Sequence, residues 1–583
     1  MSAISGCAGL PLKKDVQQRM LFAMEGRGEG IRAAVREGSC TLLQIAQEPP
    51  AHFQGAALVM DGTIYNLEEL RQALRKRGRR CGVSMGDTVL ESYLEWGEKC
   101  LEKLEGCFAL AIWEKGRLLL ARDPLGLKPL FYSQAGEGLL FGSQQSMILA
   151  HPARRAELDQ EGAAELLLMG PGRSPGCGVF RGIRELLPGQ YAVYDRGGLR
   201  LSRYWQLRDR VHTQSLEETA EQVKAMVTAS IRQQLGAGAG ACLSGGLDSS
   251  IICAVCARQM EEDGKRLSTF SVDYANQQQY FRPNAFQPNE DRHYIGLMQQ
   301  ALDSIHTTVT LTPEQLAAGL EEGMLARGLP GMGDVDVSLL LLCREIRKTA
   351  PIALSGEGAD EIFGGYHWYQ DSQEGFPWAR NQQQRLGLLS SAFRKEALTD
   401  YAHERWKTAV AACDVLPEQR DRERKQMMQL NLYWFMQTLA DRNDRMSARA
   451  GLQMRVPLCT PAIAQYLYAV PWAMKQDRGR EKGLLRRAFT GLLPEEVLWR
   501  KKSPYPKISD PGFEKLTEGR LSALLEQKNA PLFALVDRDA LKTYFEGEAS
   551  QPWYGQLMRR PQTMAYFLQL DQWLRAWNVD IIS

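Results

Sequence analysis

Leu243-Ser244-Gly245-Gly246-Leu247-Asp248-Ser249-Ser250 is the stretch whose reading decides the fold. It follows the short apolar run Ala241-Cys242-Leu243, turns at two adjacent glycines, and enters a segment with Ile251, Ile252, Val255 and Met260 at helical spacing. The pattern predicts strand, tight turn, helix. Such a turn aims unpaired backbone N–H groups and the positive end of a helix dipole at one point, which suits a phosphate. Ser244, Ser249 and Ser250 add hydroxyl donors, and Asp248 can hold a magnesium ion on the phosphates. It is not a Walker A loop, because no Gly-Lys-Ser/Thr follows.

On either side of this loop the pattern is that of an α/β domain. Ser215-Leu216-Glu217-Glu218 opens a long amphipathic helix with Val223, Met226, Val227 and Ile231 on one face. Apolar strands then alternate with helices: the loop itself, Leu267–Val272, and Pro351-Ile352-Ala353-Leu354. That alternation predicts a parallel sheet with ligands outside the carboxyl ends of its strands. Gly236-Ala237-Gly238-Ala239-Gly240 precedes a strand instead of following one, so it reads as a helix-ending loop. Beyond about residue 380 the pattern is almost entirely helical.

A second loop, Leu354-Ser355-Gly356-Glu357-Gly358-Ala359-Asp360-Glu361-Ile362-Phe363-Gly364-Gly365-Tyr366, interleaves four glycines with three carboxylates just after a strand. Glycines permit close backbone approach, and carboxylates ligate magnesium or act as bases. The Ser-Gly-Gly-Leu-Asp-Ser-Ser string resembles the pyrophosphate loop of adenylating amide ligases, which cleave ATP to AMP and pyrophosphate. The two loops together resemble the synthetase domain of glutamine-dependent asparagine synthetases. Further matches are Asp444-Arg445-Met446-Ser447, Arg455-Val456-Pro457, Gly479–Arg486, Arg500–Pro506 and Trp553-Tyr554-Gly555-Gln556. The chain departs from the pattern at Gln453, usually Glu, and at Leu458-Cys459-Thr460, usually Phe-x-Asp.

The resemblance implies a set of roles. Ser244, Gly245, Gly246, Asp248 and Ser249 would cradle the phosphates of ATP, and Leu243, Val272, Ser355 and Gly356 would line the adenosine pocket. Asp248 and Asp360 would hold Mg2+. Lys482 and Arg486 would offset charge on departing pyrophosphate. Glu357 would be the general base toward ammonia. The implied substrates are L-aspartate and ammonia, with L-glutamine as the family's nitrogen donor, and a homodimer is an assembly it allows. Two alternatives stay open: an amide-forming ligase on another carboxylate, as in β-lactam synthetases and lasso-peptide cyclases, and a non-catalytic ATP- and aspartate-binding paralogue.

The first two hundred residues read as strand-rich. Ala56–Met60 is an apolar run ending at an expected turn, Asp61-Gly62. Asn66 is expected to cap a helix with Glu69 completing a capping box, and the basic run Arg75–Arg80 fits that helix's C-terminal end. Phe108–Trp113 and Arg117–Arg122 flank Glu114-Lys115-Gly116, a hairpin signal, and Gly138–Phe141 and Gln190–Tyr194 continue the strands. Packed antiparallel sheets are the expectation. Tyr65-Asn66, Leu70-Arg71, Tyr93 with Trp96-Gly97, Arg122–Tyr132 and Leu187–Tyr191 resemble the class II glutamine amidotransferases, an N-terminal-nucleophile fold. In that family a Cys follows the initiator Met, and here the position is Ser2. The family's Asn-Gly-Glu becomes Asp61-Gly62-Thr63, and its Arg-Gly-Pro-Asp becomes Arg27-Gly28-Glu29-Gly30. Thr41-Leu42-Leu43-Gln44 lacks the arginines that hold the glutamine carboxylate. Losing thiol, oxyanion amide and clamp together implies an inactive glutaminase. Cys7 lies inside the chain, without an adjacent free amine, and reads as a core residue.

The expected organisation is therefore an α+β amidotransferase-like sandwich over 1–205. An α/β adenine-nucleotide α-hydrolase-like (PP-loop) synthetase domain with a helical C-terminal part follows over 215–583. With 583 residues, 44% hydrophobic and 24% charged, the chain can bury large cores. A net charge of +2 argues against a nucleic-acid partner, and no apolar stretch approaches a membrane span. Cys253 and Cys256, with no second pair, make a poor zinc site. Scattered cysteines and the lack of a signal sequence point to the cytoplasm.

Overall fold

The computed structural model describes residues 1–79, 82–283, 289–370, 374–416, 421–547 and 552–582. The chain forms two compact units. The first comprises Met1–Ala163, Arg173–Gln206 and Trp577–Ile582; the second comprises Ala164–Gly172 and Leu207–Ala576.

The first unit is built on two six-stranded antiparallel sheets. One runs in the order Arg184–Glu185, Phe131–Ala135, Gly138–Gly142, Ala3–Ala8, Cys40–Ala46, Ile31–Glu37. The other runs Gly198–Arg203, Gln190–Asp195, Arg117–Arg122, Gly106–Glu114, Ala56–Ile64, Ala51–Phe53. Period-two alternation sorts their side chains. Ala57 and Val59 join Ile4, Leu42, Ala111 and Leu120 in the core between the sheets. Leu58 and Met60 instead pack with Leu70, Val89 and Tyr93 of the covering helices Leu67–Lys76 and Met85–Trp96. The Glu114-Lys115-Gly116 hairpin forms as expected, with Lys115 and Gly116 at positive φ and Glu114 paired to Arg117.

Two local expectations fail. Asp61-Gly62 is not a turn: strand Ala56–Ile64 runs through it, pairing Asp61 with Ala109 and Gly62 with Phe108. The neighbouring strand holds the pair extended along its whole length. Gly62 adopts φ 135°, and a Cβ there would fall 2.0 Å from the Cys107 carbonyl oxygen, so the glycine marks a close approach. Asn66 occupies the N-cap position but caps nothing. Its amide donates to the Lys103 carbonyl at 2.9 Å and accepts from Glu105 N–H at 3.0 Å. The basic run does end that helix, with Lys76 its last residue, Arg79 paired to Glu95, and Arg80 outside the described residues.

In the second unit, five parallel strands run in the order Ser304–Leu311, Leu267–Tyr274, Gly240–Cys242, Ile352–Leu354, Gln453–Arg455. Helix Leu216–Gln234 starts with the full Ser215/Glu218 capping box. Leu316, Val337, Leu340 and Ile346 pack with Phe270, Val272 and Ala353 of the sheet. Most of the chain beyond residue 380 is helical, ending in Arg560–Ala576. Segment Ala164–Gly172 is knitted into this unit: Leu168 O accepts from the buried Arg385 at 2.9 Å, and Leu166 O from Tyr566 Oη at 2.6 Å.

Candidate active site

The sheet order places the strand Gly240–Cys242 beside Ile352–Leu354, so the loops leaving their carboxyl ends are neighbours. After the first strand the chain turns through Gly245, at φ 68°, into helix Leu247–Glu262, with Gly246 as N-cap. A Cβ on Gly245 would lie 2.7 Å from Tyr294 Cβ and 2.9 Å from Ile295 N, so only glycine fits. Ser249 Oγ accepts from Ser244 N–H at 3.2 Å and lies 3.0 Å from Ser244 Oγ, which closes the turn. Arg500 braces it from outside, donating to Ser244 O at 3.3 Å and to Asp291, its guanidinium stacked 4.0 Å over Tyr294.

The second loop runs from Ser355 into the short helix Ala359–Phe363, with Gly358 at φ 84°. Its backbone meets the first loop: a Cβ on Gly356 would sit 2.9 Å from Asp248 Cβ and 3.3 Å from Ser249 N. That contact brings Asp248 and Asp360 to one point. Lys482 occupies it. From a left-handed residue (φ 54°) ahead of helix Gly483–Ala488, its ammonium donates to Asp248 Oδ2 at 2.5 Å and pairs with Asp360 Oδ1. Lys502 pairs with the other oxygen of Asp360. Burial pushes the Asp360 carboxyl up, but the two ammoniums outweigh it and hold it well below the usual range. Lys482 is likewise raised by its two carboxylates, against its burial.

Apart from Gly245 and the fully buried Ser250, every synthetase residue given a role in the sequence lines one cleft: Leu243, Ser244, Gly246, Asp248, Ser249, Val272, Ser355, Gly356, Glu357, Asp360, Lys482 and Arg486. Arg486 is present but spent. It donates to Glu481 O at 2.9 Å, to Glu481 Oε1 at 3.0 Å and to Leu498 O. Sequence reasoning missed Arg442, Lys502 and Arg500. Arg442, on helix Met436–Arg449, is 2% exposed, donates to Glu357 Oε2 at 2.9 Å, and lies 4.8 Å over the Tyr505 ring. The signal for Lys502 and Arg500 was available in Arg500-Lys501-Lys502-Ser503, whose basic residues carried no assigned role. The departure at Thr460 is benign: its side chain caps helix Pro461–Ala469, as an Asp would.

The carboxylate pair fits a magnesium ion. Asp248 and Asp360 already converge on one cation, and Asp248 Oδ1 is buried with no hydrogen-bond partner. Phosphate oxygens would complete such a shell. Among the described residues no three His, Cys, Asp or Glu converge on a metal site.

In the first unit, Ser2 directly precedes strand Ala3–Ala8. Its Oγ donates to Asp61 Oδ1 at 2.8 Å and accepts from Gly62 N–H at 3.3 Å. Asp61 is fully buried and ion-paired with Arg27, whose Nη2 and Nε lie 2.6 and 3.1 Å from Oδ2; Lys128 Nζ lies 3.5 Å from Oδ1. Gln44 is turned to the backbone, accepting from Met60 N–H and donating to Glu48 O. Cys7 is a buried strand residue whose thiol burial pushes up to about 11. The Arg122–Tyr132 motif is structural: Asp123 accepts from the Leu125, Leu127 and Lys128 amides, and Arg122 from below donates to the Gly126, Lys128 and Leu186 carbonyls.

A tight glycine turn at the carboxyl end of a parallel sheet, following a two-sheet N-terminal-nucleophile unit, defines a PP-loop ligase that forms C–N bonds. The asparagine synthase family model matches residues 222–575, and a glutamine amidotransferase domain model matches 1–205. The chain belongs to the asparagine synthase family. It is 42% identical to glutamine-hydrolysing asparagine synthetase 3 of Bacillus subtilis (strain 168), across 90% of this chain and 88% of that one. It is 24% identical to asparagine synthetase 1 of the same organism, across 77% and 75% of the two chains. A putative asparagine synthetase of Mycobacterium tuberculosis (strain H37Rv) is 26% identical, across 79% and 76%. No described helix is long and apolar enough to cross a membrane.

Proposed function

We propose that this chain is an ATP-dependent asparagine synthetase that amidates L-aspartate with free ammonia in the cytoplasm. The β-carboxylate of aspartate attacks the α-phosphorus of ATP, giving β-aspartyl-AMP and pyrophosphate; ammonia then displaces AMP. Asp248 and Asp360 hold Mg2+, which supplies charge neutralisation on the phosphates when bound. The turn from Ser244 to Ser249 orients the phosphates, and Lys482, 4% exposed between its two carboxylates, offsets charge that gathers on the leaving group. Glu357 takes the proton that ammonia sheds as the amide forms, and Arg442 holds its carboxylate in place.

The observation that carries the choice of nitrogen donor is the Ser2–Asp61 contact. A thioester-forming glutaminase requires a thiolate and a donor for the tetrahedral oxyanion. Here a hydroxyl replaces the thiol, and a buried carboxylate stands where the family's oxyanion amide stands. That carboxylate opposes both the nucleophile and the anion it would form.

The test is incubation of purified protein with ATP, magnesium and aspartate, adding either ammonium or glutamine, with asparagine, AMP and pyrophosphate measured. Asparagine from ammonium alone is expected. Equal yield from glutamine would overturn the choice of donor, and AMP release only with another acid would overturn the choice of substrate.

A further inference from the structure

One guanidinium of the second unit is buried without a counter-charge. Arg385, on the short helix Gln382–Gly387, is 1% exposed and lies 4.3 Å over the ring of Trp553. Its Nη1 donates to Leu168 O at 2.9 Å, and its Nη2 is buried with no hydrogen-bond partner. The indole Nε1 of Trp553, itself 3% exposed, is also buried and unpartnered. Three phenols, Tyr544, Tyr554 and Tyr566, surround the cation, and no carboxylate among the described residues offsets its burial, which pushes it from 12.5 down to about 10. A ring face attracts a cation but does not neutralise it.

Both sets of donors border one notch, at Gly170. That residue adopts φ 70°, and a Cβ there would lie 3.2 Å from Trp553 Nε1 and 3.5 Å from Arg385 Nη1. The missing side chain leaves the indole N–H and the guanidinium edge facing the same space. A water there would satisfy nitrogens and leave the charge. Gln382 is no better: its amide nitrogen is given to Leu168 O and Ala379 O, and the group is neutral. A cation taken out of water costs several kcal/mol more than a neutral group unless an opposite charge accompanies it. Sulfate or phosphate would bring a second negative charge that one guanidinium does not match. Two N–H donors in an aromatic-walled notch suit a small monovalent anion.

We propose that the notch between Gly170, Arg385 and Trp553 binds a halide ion, chloride in ordinary buffers, as the counter-ion of the buried guanidinium. The position matters to the cleft. Trp553 leads into Gly555 and Gln556, which line it, and Gly555 N–H donates to Trp378 O at 2.9 Å. The ion holds the root of that wall, whichever acid the cleft activates.

The experiment follows the melting temperature of the full chain as chloride or bromide replaces gluconate at constant ionic strength, for wild type and Trp553→Phe. The substitution keeps a ring beneath Arg385 and removes the N–H. Wild type is expected to gain about 1–3 °C, with the gain saturating by about 100 mM halide. Trp553→Phe is expected to lose at least half of it. No gain in wild type, a gain that never saturates, or an equal gain in the variant overturns the proposal. Crystals of wild type soaked in bromide give a reading that needs no variant. An anomalous peak within hydrogen-bond reach of Trp553 Nε1 and Arg385 supports the site, and a notch without one overturns it.

Discussion

Ser2 Oγ lies 2.8 Å from Asp61 Oδ1, and the same carboxylate is held on its other side by Arg27. The hydroxyl is thus a ligand of a buried ion pair. Ser2→Cys alone is expected to yield no glutaminase activity, because the thiol would face that carboxylate. Glutamate release from glutamine is the measurement, and release above background would refute the point.

Asp61→Asn restores the family's amide but removes the carboxylate that pairs with Arg27, which is 2% exposed. Breaking a buried pair from one side costs about 3–5 kcal/mol. The variant is expected to melt well below wild type and to gain no glutaminase, alone or with Ser2→Cys. A melting temperature equal to wild type would show that Arg27 finds another partner.

Glu357→Gln keeps an acceptor for Arg442 but cannot take a proton. Amide formation from ammonium is expected to fall by about 10²–10⁴-fold. Aspartate-dependent ATP–pyrophosphate exchange should persist. If exchange falls equally, Glu357 shapes the loop instead of serving as base.

Gly245→Ala places a methyl group against the backbone at Ile295 in a left-handed conformation that costs about 1–2 kcal/mol by itself. Because Gly245 does not line the cleft, any loss reports the turn's shape. ATP affinity is expected to drop at least about tenfold, with little change in the far-UV circular dichroism spectrum.

Lys475 is 4% exposed, its ammonium against Met428 Sδ at 3.4 Å. Burial, then repulsion from Lys425, pushes it from 10.5 down to about 7. Between pH 7 and 10.5 the unfolded chain binds a proton that the folded chain does not, so stability from this group rises with pH across that window. Lys475→Met is expected to be more stable than wild type at pH 6–7, by about 1–3 kcal/mol, with the gap closing toward pH 10. Denaturant melts at pH 6.5 and 9.5 check the sign; a gap that widens with pH refutes it.

The parallel sheet and its loops were legible because their signals are local: an apolar run, adjacent glycines, then helical periodicity. The same holds for the Glu114-Lys115-Gly116 hairpin and the Ser215 cap. Asp61-Gly62 misled because its composition is that of a turn, while the pairing partner that keeps it extended lies nearly fifty residues away at Phe108. Asn66 misled in the same way, its amide taken by residues 103 and 105. Arg442 was invisible because its partner, Glu357, is 85 residues distant and neither spacing nor composition links them. Arg486 shows the converse: a basic residue in the right motif whose nitrogens are all engaged by protein atoms.

The gene order and the three-dimensional order of this protein do not coincide. Residues 164–172 precede the linker near 206, yet they supply carbonyls that satisfy Arg385 and Tyr566 and a carboxylate for Tyr401 in the second unit. Residues 577–582 return to the first unit, where Asp580–Ile581 pairs with Glu157–Leu158. A deletion ending in the linker would leave a buried guanidinium and a buried phenol without acceptors. The linker therefore offers no clean place to cut, because the first half of the sequence carries a piece of the second unit.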